Sequence, residues 1–211
     1  MAKINIIFDM DGTLCNTAKA TVLACNESAA ERGMPLFDEV TVRNAIGYAC
    51  PEIFFKWLPD EKDEQKVLDF GARVEELEEG YVAGFGDKIL FDGIPEMLDE
   101  ISRKGIKMHI ASTGSPHHVR TTLETTGISN HFESISSGEP NKIDMVKRII
   151  ASDSGSVWLM LGDMEKDAEA AKGNDIMAVG AGYGYCRKEL HSLFDIVISA
   201  PSDLLRIIDD L

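Results

Sequence analysis

"KINIIFDMDGTL", residues 3–14, carries a short isoleucine-rich segment straight into two carboxylates, Asp9 and Asp11, with Gly12 immediately after them. Residues 3–8 read as a buried strand: short, apolar and ended by a polar turn. Residues two apart on an extended segment share a face, so the two acids repel unless something positive or chemical lies between them. Similar apolar runs recur at 106–111 ("IKMHIA"), 156–161 ("SVWLML"), 176–179 ("IMAV") and 195–198 ("DIVI"). Helical patterns lie between them, at 94–104, roughly 116–127, 142–152, 165–172 and 201–210. This alternation predicts an α/β fold, a Rossmann-like doubly wound parallel sheet built from right-handed βαβ units. Ser115-Pro116 and Asn141 supply helix starts, and Gly127 supplies a helix end.

Residues 17–86 break the alternation and read as helices at 17–32, 38–46, 51–58 and 60–84. The expected organisation is a core of residues 1–16 and 87–211 with an inserted α-helical cap domain of residues 17–86. The chain has 211 residues with a formal net charge of -15, which disfavours nucleic acid and anionic membrane surfaces as partners. Acids crowd 60–79, the expected solvated face of a helix. The four cysteines are scattered without zinc spacing, so reduced thiols and a cytoplasmic location are expected. The amino-terminal run is too short for a signal peptide or a membrane span.

In an open parallel sheet, ligands collect at the carboxyl ends of the strands. Asp9 and Asp11 follow the first strand, Ser112 and Thr113 the second, and Asp163 and Asp167 the segment 156–161. Lys142 opens the helix expected at 142–152. Each alone has an ordinary reading as loop solvation, helix-start chemistry or a surface lysine. Together they form the inventory that a divalent cation and a phosphate need: oxygen ligands for Mg²⁺, and a hydroxyl and an ammonium for phosphoryl oxygens. A cation in the first turn of a helix opposes the helix dipole, so an anion near Lys142 would explain its position.

"DMDGTL", "IAST", Lys142 and "GDMEKD" together resemble the haloacid dehalogenase superfamily. The helical insertion, "GYGY" (182–185) and the ending "FDIVISAPSDLLRIID" resemble its phosphoglycolate phosphatase-like and β-phosphoglucomutase-like branch. The resemblance implies a Mg²⁺-dependent phosphatase acting on a small phosphate monoester through an aspartyl-phosphate intermediate. Asp9 would be the nucleophile and Asp11 the general acid and base. Ser112, Thr113 and Lys142 would bind the phosphoryl group. Asp9, the Asp11 backbone carbonyl and Asp163 would ligate the metal, with Asp167 supporting it.

Asp11 favours phosphate esters, since the superfamily's dehalogenases and phosphonatases lack that acid. Thr17 fits the mutase pattern, but Thr21 stands where β-phosphoglucomutase-like enzymes carry a histidine, which disfavours a mutase. A non-catalytic phospho-acceptor or binding protein is the alternative of a different class. Substrate choice is expected in the insertion, with Arg43 as the contacting cation and Lys19 and Lys56 behind it. Phe54, Phe55 and Trp57 read mainly as packing within the insertion. His117 and His118 read as surface residues at a helix start, His109 as a core residue, and Cys15 as chemically idle. The expected partner is a small phosphorylated metabolite, and the chain is expected to be a monomer or homodimer.

Overall fold

Six parallel strands form one sheet in the order β3-β2-β1-β4-β5-β6 in the computed structural model, which describes residues 3–211. Residues 1 and 2 of the expected core lie outside the described residues. The chain runs β1 (Ile4–Phe8), α1 (Ala18–Glu31), α2 (Glu39–Arg43), α3 (Glu52–Trp57), α4 (Glu64–Phe85) and α5 (Ile94–Arg103). It continues through β2 (Lys107–Ser112), α6 (Pro116–Thr125), β3 (Phe132–Ser137), α7 (Lys142–Ile150) and β4 (Val157–Gly162). α8 (Glu165–Lys172), β5 (Met177–Ala181), β6 (Ile196–Ile198) and α9 (Asp203–Asp209) complete it.

Side-chain alternation along the strands sorts the core into two layers. Ile6, Phe8, Ile110, Leu159 and Val179 pack against α5, α6 and α9 on one face. Ile7, Ala111, Trp158, Met160 and Ala178 pack against α7 and α8 on the other. The order of strand addition reverses at β1, which places a crevice at the carboxyl ends of β1, β2 and β4.

The expectation lacks one strand. β3, "FESISS", is an edge strand with a mostly exposed or half-buried pattern, so it carries too few apolar residues to announce itself. Polar residues are tolerated there because an edge strand has solvent on its free side.

Helices α1 to α4 pack on each other around Ala24, Cys25, Val42, Phe54, Trp57, Phe70 and Val74, a third apolar cluster separate from the sheet layers. Phe54 and Trp57 are in this cluster, while Phe55 is 38% exposed. The two crossings into this unit lie side by side: Asn16 N–H donates to Ile89 O at 2.7 Å and Phe91 N–H to Leu14 O at 3.0 Å. Among the described residues no helix is long and apolar enough to cross a membrane.

His109 is buried on β2, its Nδ1 2.8 Å from the Ser134 hydroxyl and its Nε2 without a partner among the described residues. Burial holds its pKa below the ordinary 6.5, so the folded chain resists protonating it. Its contribution to stability is therefore complete above pH 6.5 and declines as pH falls through 6.5 towards the lowered folded value. Urea unfolding at about pH 7.5 and about pH 5 should show a smaller acid loss in His109→Phe than in the parent.

Candidate active site

Asp9 leaves β1 at the sheet's crevice, with its backbone N–H still donating to Leu161 O of β4 at 2.9 Å. The chain then turns sharply: Leu14 and Cys15 N–H both return to Met10 O, at 2.9 and 3.0 Å. Gly12 makes this turn possible, at φ +84°. A Cβ at Gly12 would also stand 2.5 Å from the Tyr185 ring and 2.6 Å from Asp163 Oδ2. The loop is clamped from outside, because Tyr183 Oη donates to Thr13 O at 3.0 Å and Tyr185 Oη to Asn16 Oδ1 at 2.7 Å.

At the base of the crevice Lys142 Nζ bridges Asp9 Oδ1 at 2.7 Å and Asp167 Oδ1 at 2.6 Å, with all three side chains at most 5% exposed. Lys142 is the first residue of α7, as expected, and the anions explain a cation in that position. Burial works against its charge, but Asp167 and Asp9 outweigh it and hold the ammonium protonated.

Asp9, Asp163 and Asp167 bring one carboxylate oxygen each within 4.8 Å of one another. Asp163 Oδ1 accepts from the Thr13 hydroxyl at 2.8 Å, while its buried Oδ2 has no partner among the described residues. Burial and the neighbouring Asp167 push Asp9 up to about 7 despite Lys142, and burial with Asp9 and Asp167 drives Asp163 well upward. One lysine does not balance three buried carboxylates. An orphaned oxygen facing that surplus of negative charge fits a divalent cation.

Asp167 belongs to this group but has both of its oxygens engaged. Its Oδ1 takes Lys142, and its Oδ2 accepts from the backbone N–H of Asp163 at 3.0 Å and of Met164 at 2.9 Å. Both oxygens are thus committed to a cation and a helix start, which leaves Asp9 and Asp163 as the available donors. The Asp11 carboxylate lies outside this group, since its side chain turns the other way, towards α6.

There it meets a residue expected on the surface. His118 is only 19% exposed, with Nε2 3.1 Å from Asp11 Oδ1 and Nδ1 3.6 Å from Glu78 Oε2 of α4. Burial disfavours the imidazolium, but Asp11 and Glu78 outweigh it and raise His118 to about 10. In return His118 and the Thr17 hydroxyl hold Asp11 below the ordinary 3.8 against the pull of burial. Burial raises Glu78, opposed by His118 and by a hydrogen bond from the Thr21 hydroxyl. Ser115 caps α6 by accepting from His118 N–H at 3.2 Å, which places residue 118 in the first turn of the helix. His117 pairs instead with Glu79, its Nε2 3.2 Å away, with a side chain 72% exposed.

Ser112 and Thr113 are both buried at the end of β2 but differ in their commitments. Thr113 Oγ1 donates to Gly47 O of the helical insertion at 3.0 Å. Ser112 Oγ accepts from Gly114 N–H at 3.1 Å, so its own proton is uncommitted.

Above these groups lies a cavity of about 400 Å³ between the insertion and the sheet. Asp11, Thr17, Thr113 and His118 form part of its lower wall, and Tyr48, Phe54, Trp57 and Val82 part of its upper one. Arg43 and Lys19 do not line it. Arg43 ends α2 half-buried, and Lys56 lies over the Tyr48 ring at 4.3 Å from its centre. Cys15 is buried with its thiol raised by desolvation and by Asp11 and Asp9, so it is held un-ionised.

The sequence profile of the haloacid dehalogenase-like hydrolases matches residues 6–181. The chain is 26% identical to the phosphoglycolate phosphatase of Aquifex aeolicus over 97% of its own length and 96% of that protein's. It is also 26% identical to the N-acetylmuramic acid 6-phosphate phosphatase of Pseudomonas putida, over 97% and 95% of the two chains. The crystal structure of a predicted phosphoglycolate phosphatase from Haemophilus somnus shares the fold, with a TM-score of 0.82, 21% identity and 97% of each chain covered. Because the profile spans most of the chain and the matched fold spans nearly all of it, the chain belongs to the haloacid dehalogenase-like hydrolases.

Proposed function

We propose that this protein is a Mg²⁺-dependent phosphatase that hydrolyses a small phosphate monoester through an aspartyl phosphate on Asp9, with residues 17–86 acting as a cap over the site. The observation that carries this reading is the buried Asp9–Lys142–Asp167 arrangement with the unpartnered Asp163 Oδ2 beside it, Asp9 being two residues along the chain from Asp11 at the edge of the cavity. Asp9 and Asp163 are the residues that would hold Mg²⁺. When bound, the cation would neutralise phosphoryl oxygens and keep Asp9 ionised.

A carboxylate oxygen of Asp9 attacks phosphorus, forming the acyl phosphate as the bond to the ester oxygen breaks. Lys142 and the free hydroxyl proton of Ser112 hold charge on the phosphoryl oxygens. Asp11 and His118 share the proton that the leaving oxygen needs: Asp11 rests ionised against the imidazolium, and the pair passes that proton to the alkoxide. Asp11 then accepts a proton from a water that attacks phosphorus, releasing inorganic phosphate and restoring Asp9.

Incubation with p-nitrophenyl phosphate should release phosphate with Mg²⁺ present and none in excess EDTA. No release under either condition over a range of pH would remove the phosphatase reading and favour a phosphate-binding protein. His118→Ala should lower kcat by roughly 10²-fold for an alkyl phosphate. It should cost much less for p-nitrophenyl phosphate, whose leaving group needs little protonation. Equal losses on both substrates would make His118 a packing residue.

The mutase alternative requires the cavity to hold a second phosphoryl group. Thr21 donates to Glu78, and among the described residues no lysine or arginine lines the cavity, so this feature favours hydrolysis over transfer.

A further inference from the structure

The acid-rich stretch of α4 is the solvated face expected from its sequence, with Glu78 alone among its acids half-buried, and it also edges the cavity. Glu75, Glu78, Glu79 and Val82 fall at i, i+3, i+4 and i+7, and this stripe lines the cavity above Asp11. Glu79 is engaged by His117 and Glu78 by His118, while Glu75 accepts from the Cys50 thiol at 3.2 Å. His118 is a shared partner, already claimed by Asp11 at 3.1 Å. Lys56 and Lys166 do not line the cavity; they lie over the Tyr48 ring, which does, and both pair with Glu52.

The cavity thus has two unlike ends. One end is edged by Asp11 and Thr113, next to which Asp9 and Lys142 would receive a phosphoryl group, and the end at α4 has carboxylates with His117 and His118 but no lysine or arginine among the described residues that line it. A second anion on the substrate's alcohol part would meet like charge there, whereas a cation would meet opposite charge. Between the ends, Ile46, Phe54, Trp57 and Val82 offer a carbon surface, and Thr17 and Thr21 offer polar edges. The volume of about 400 Å³ suits an alcohol of sugar size or smaller.

We infer that the cavity selects phosphate monoesters whose alcohol part carries a protonated amine, accepts neutral polyol esters less well, and rejects esters bearing a carboxylate or a second phosphate. This inference deepens the phosphatase reading and rests on it. It sets this chain apart from any relative that acts on a carboxylate-bearing ester, since such a ligand would place its second charge against α4.

Three esters of one scaffold separate the cases: glucosamine 6-phosphate, glucose 6-phosphate and 6-phosphogluconate, ranked by kcat/KM with Mg²⁺ near pH 7. A shorter pair, phosphoethanolamine and phosphoglycolate, repeats the comparison for a small alcohol. Within each set the amine should exceed the carboxylate by on the order of 10²-fold, and the neutral polyol should fall between the two. The double variant Glu75→Gln/Glu79→Gln, at two exposed positions, should bring the amine-to-hydroxyl ratio to within about threefold of unity. A carboxylate ester preferred or equal to the amine overturns the inference, as does an amine preference that survives the double variant. If p-nitrophenyl phosphate is turned over while the ranking is flat, the charge selection fails alone. If p-nitrophenyl phosphate is inert as well, the phosphatase reading fails with it.

Discussion

Asp9→Asn should reduce Mg²⁺-dependent phosphate release by on the order of 10⁴-fold or more, because an amide cannot form the acyl phosphate and the remaining groups have nothing to act on. The same substitution should leave the protein folded. The amide oxygen of the new side chain still accepts from Lys142 Nζ, which now holds Asp9 at 2.7 Å. The change also removes one of three buried carboxylates that repel each other; that repulsion, together with burial, displaces Asp9 upward to about 7. The melting temperature in EDTA should therefore stay level or rise, while activity disappears. Turnover within about tenfold of the parent would remove Asp9 as nucleophile. Lost activity with a collapsed melting temperature would mean that Asp9 acts mainly as a structural partner of Lys142.

Lys142→Ala should act in the opposite sense on stability. The lysine side chain is 3% exposed and is the cation that bridges Asp9 and Asp167. Its removal leaves buried carboxylates without their partner, a loss of about 3–5 kcal/mol. For a chain of this size each kcal/mol moves the midpoint by about 2–4 °C, so the melting temperature in EDTA should fall by roughly 6–20 °C. Mg²⁺ should recover part of that fall by supplying positive charge to the same acids, although phosphate release should remain at least about 10²-fold down. A midpoint within about 2 °C of the parent, or no recovery with Mg²⁺, would contradict the electrostatic account of the site. The two variants together separate charge excess from charge balance.

Much of the candidate site was legible before the fold. Asp9, Asp11, Ser112, Thr113, Lys142, Asp163 and Asp167 all stand at or just beyond strand ends or at helix starts, and a parallel sheet gathers such positions into one crevice. The choice between Ser112 and Thr113 was not legible, because it depends on Thr113 reaching Gly47, 66 residues away in sequence. Arg43 looked suited to a substrate because it is a cation in the insertion. Helix packing turned it away from the cavity, and no local pattern carries that information. His118 was misplaced for the converse reason: a histidine at a helix start usually meets water, and only the packing of α4 over α6 covers it.

The acids of 60–79 show the same division. Their number was visible, but which of them border the cavity follows from how the insertion packs against the sheet. β3 escaped notice because an edge strand needs little apolar character.

The order of apolar runs and breaks by itself determined five of the six strands, the helices between them and the strand ends where charged residues gather, since these follow from local periodicity and the handedness of βαβ connections. Tertiary structure alone decided which groups are desolvated against one another: Asp11 and Glu78 with His118, and Thr113 with Gly47. The physical reason is that burial and distance set the strength of a charge or a hydrogen bond, and for residues far apart in the chain both exist only once the helical insertion has packed against the sheet.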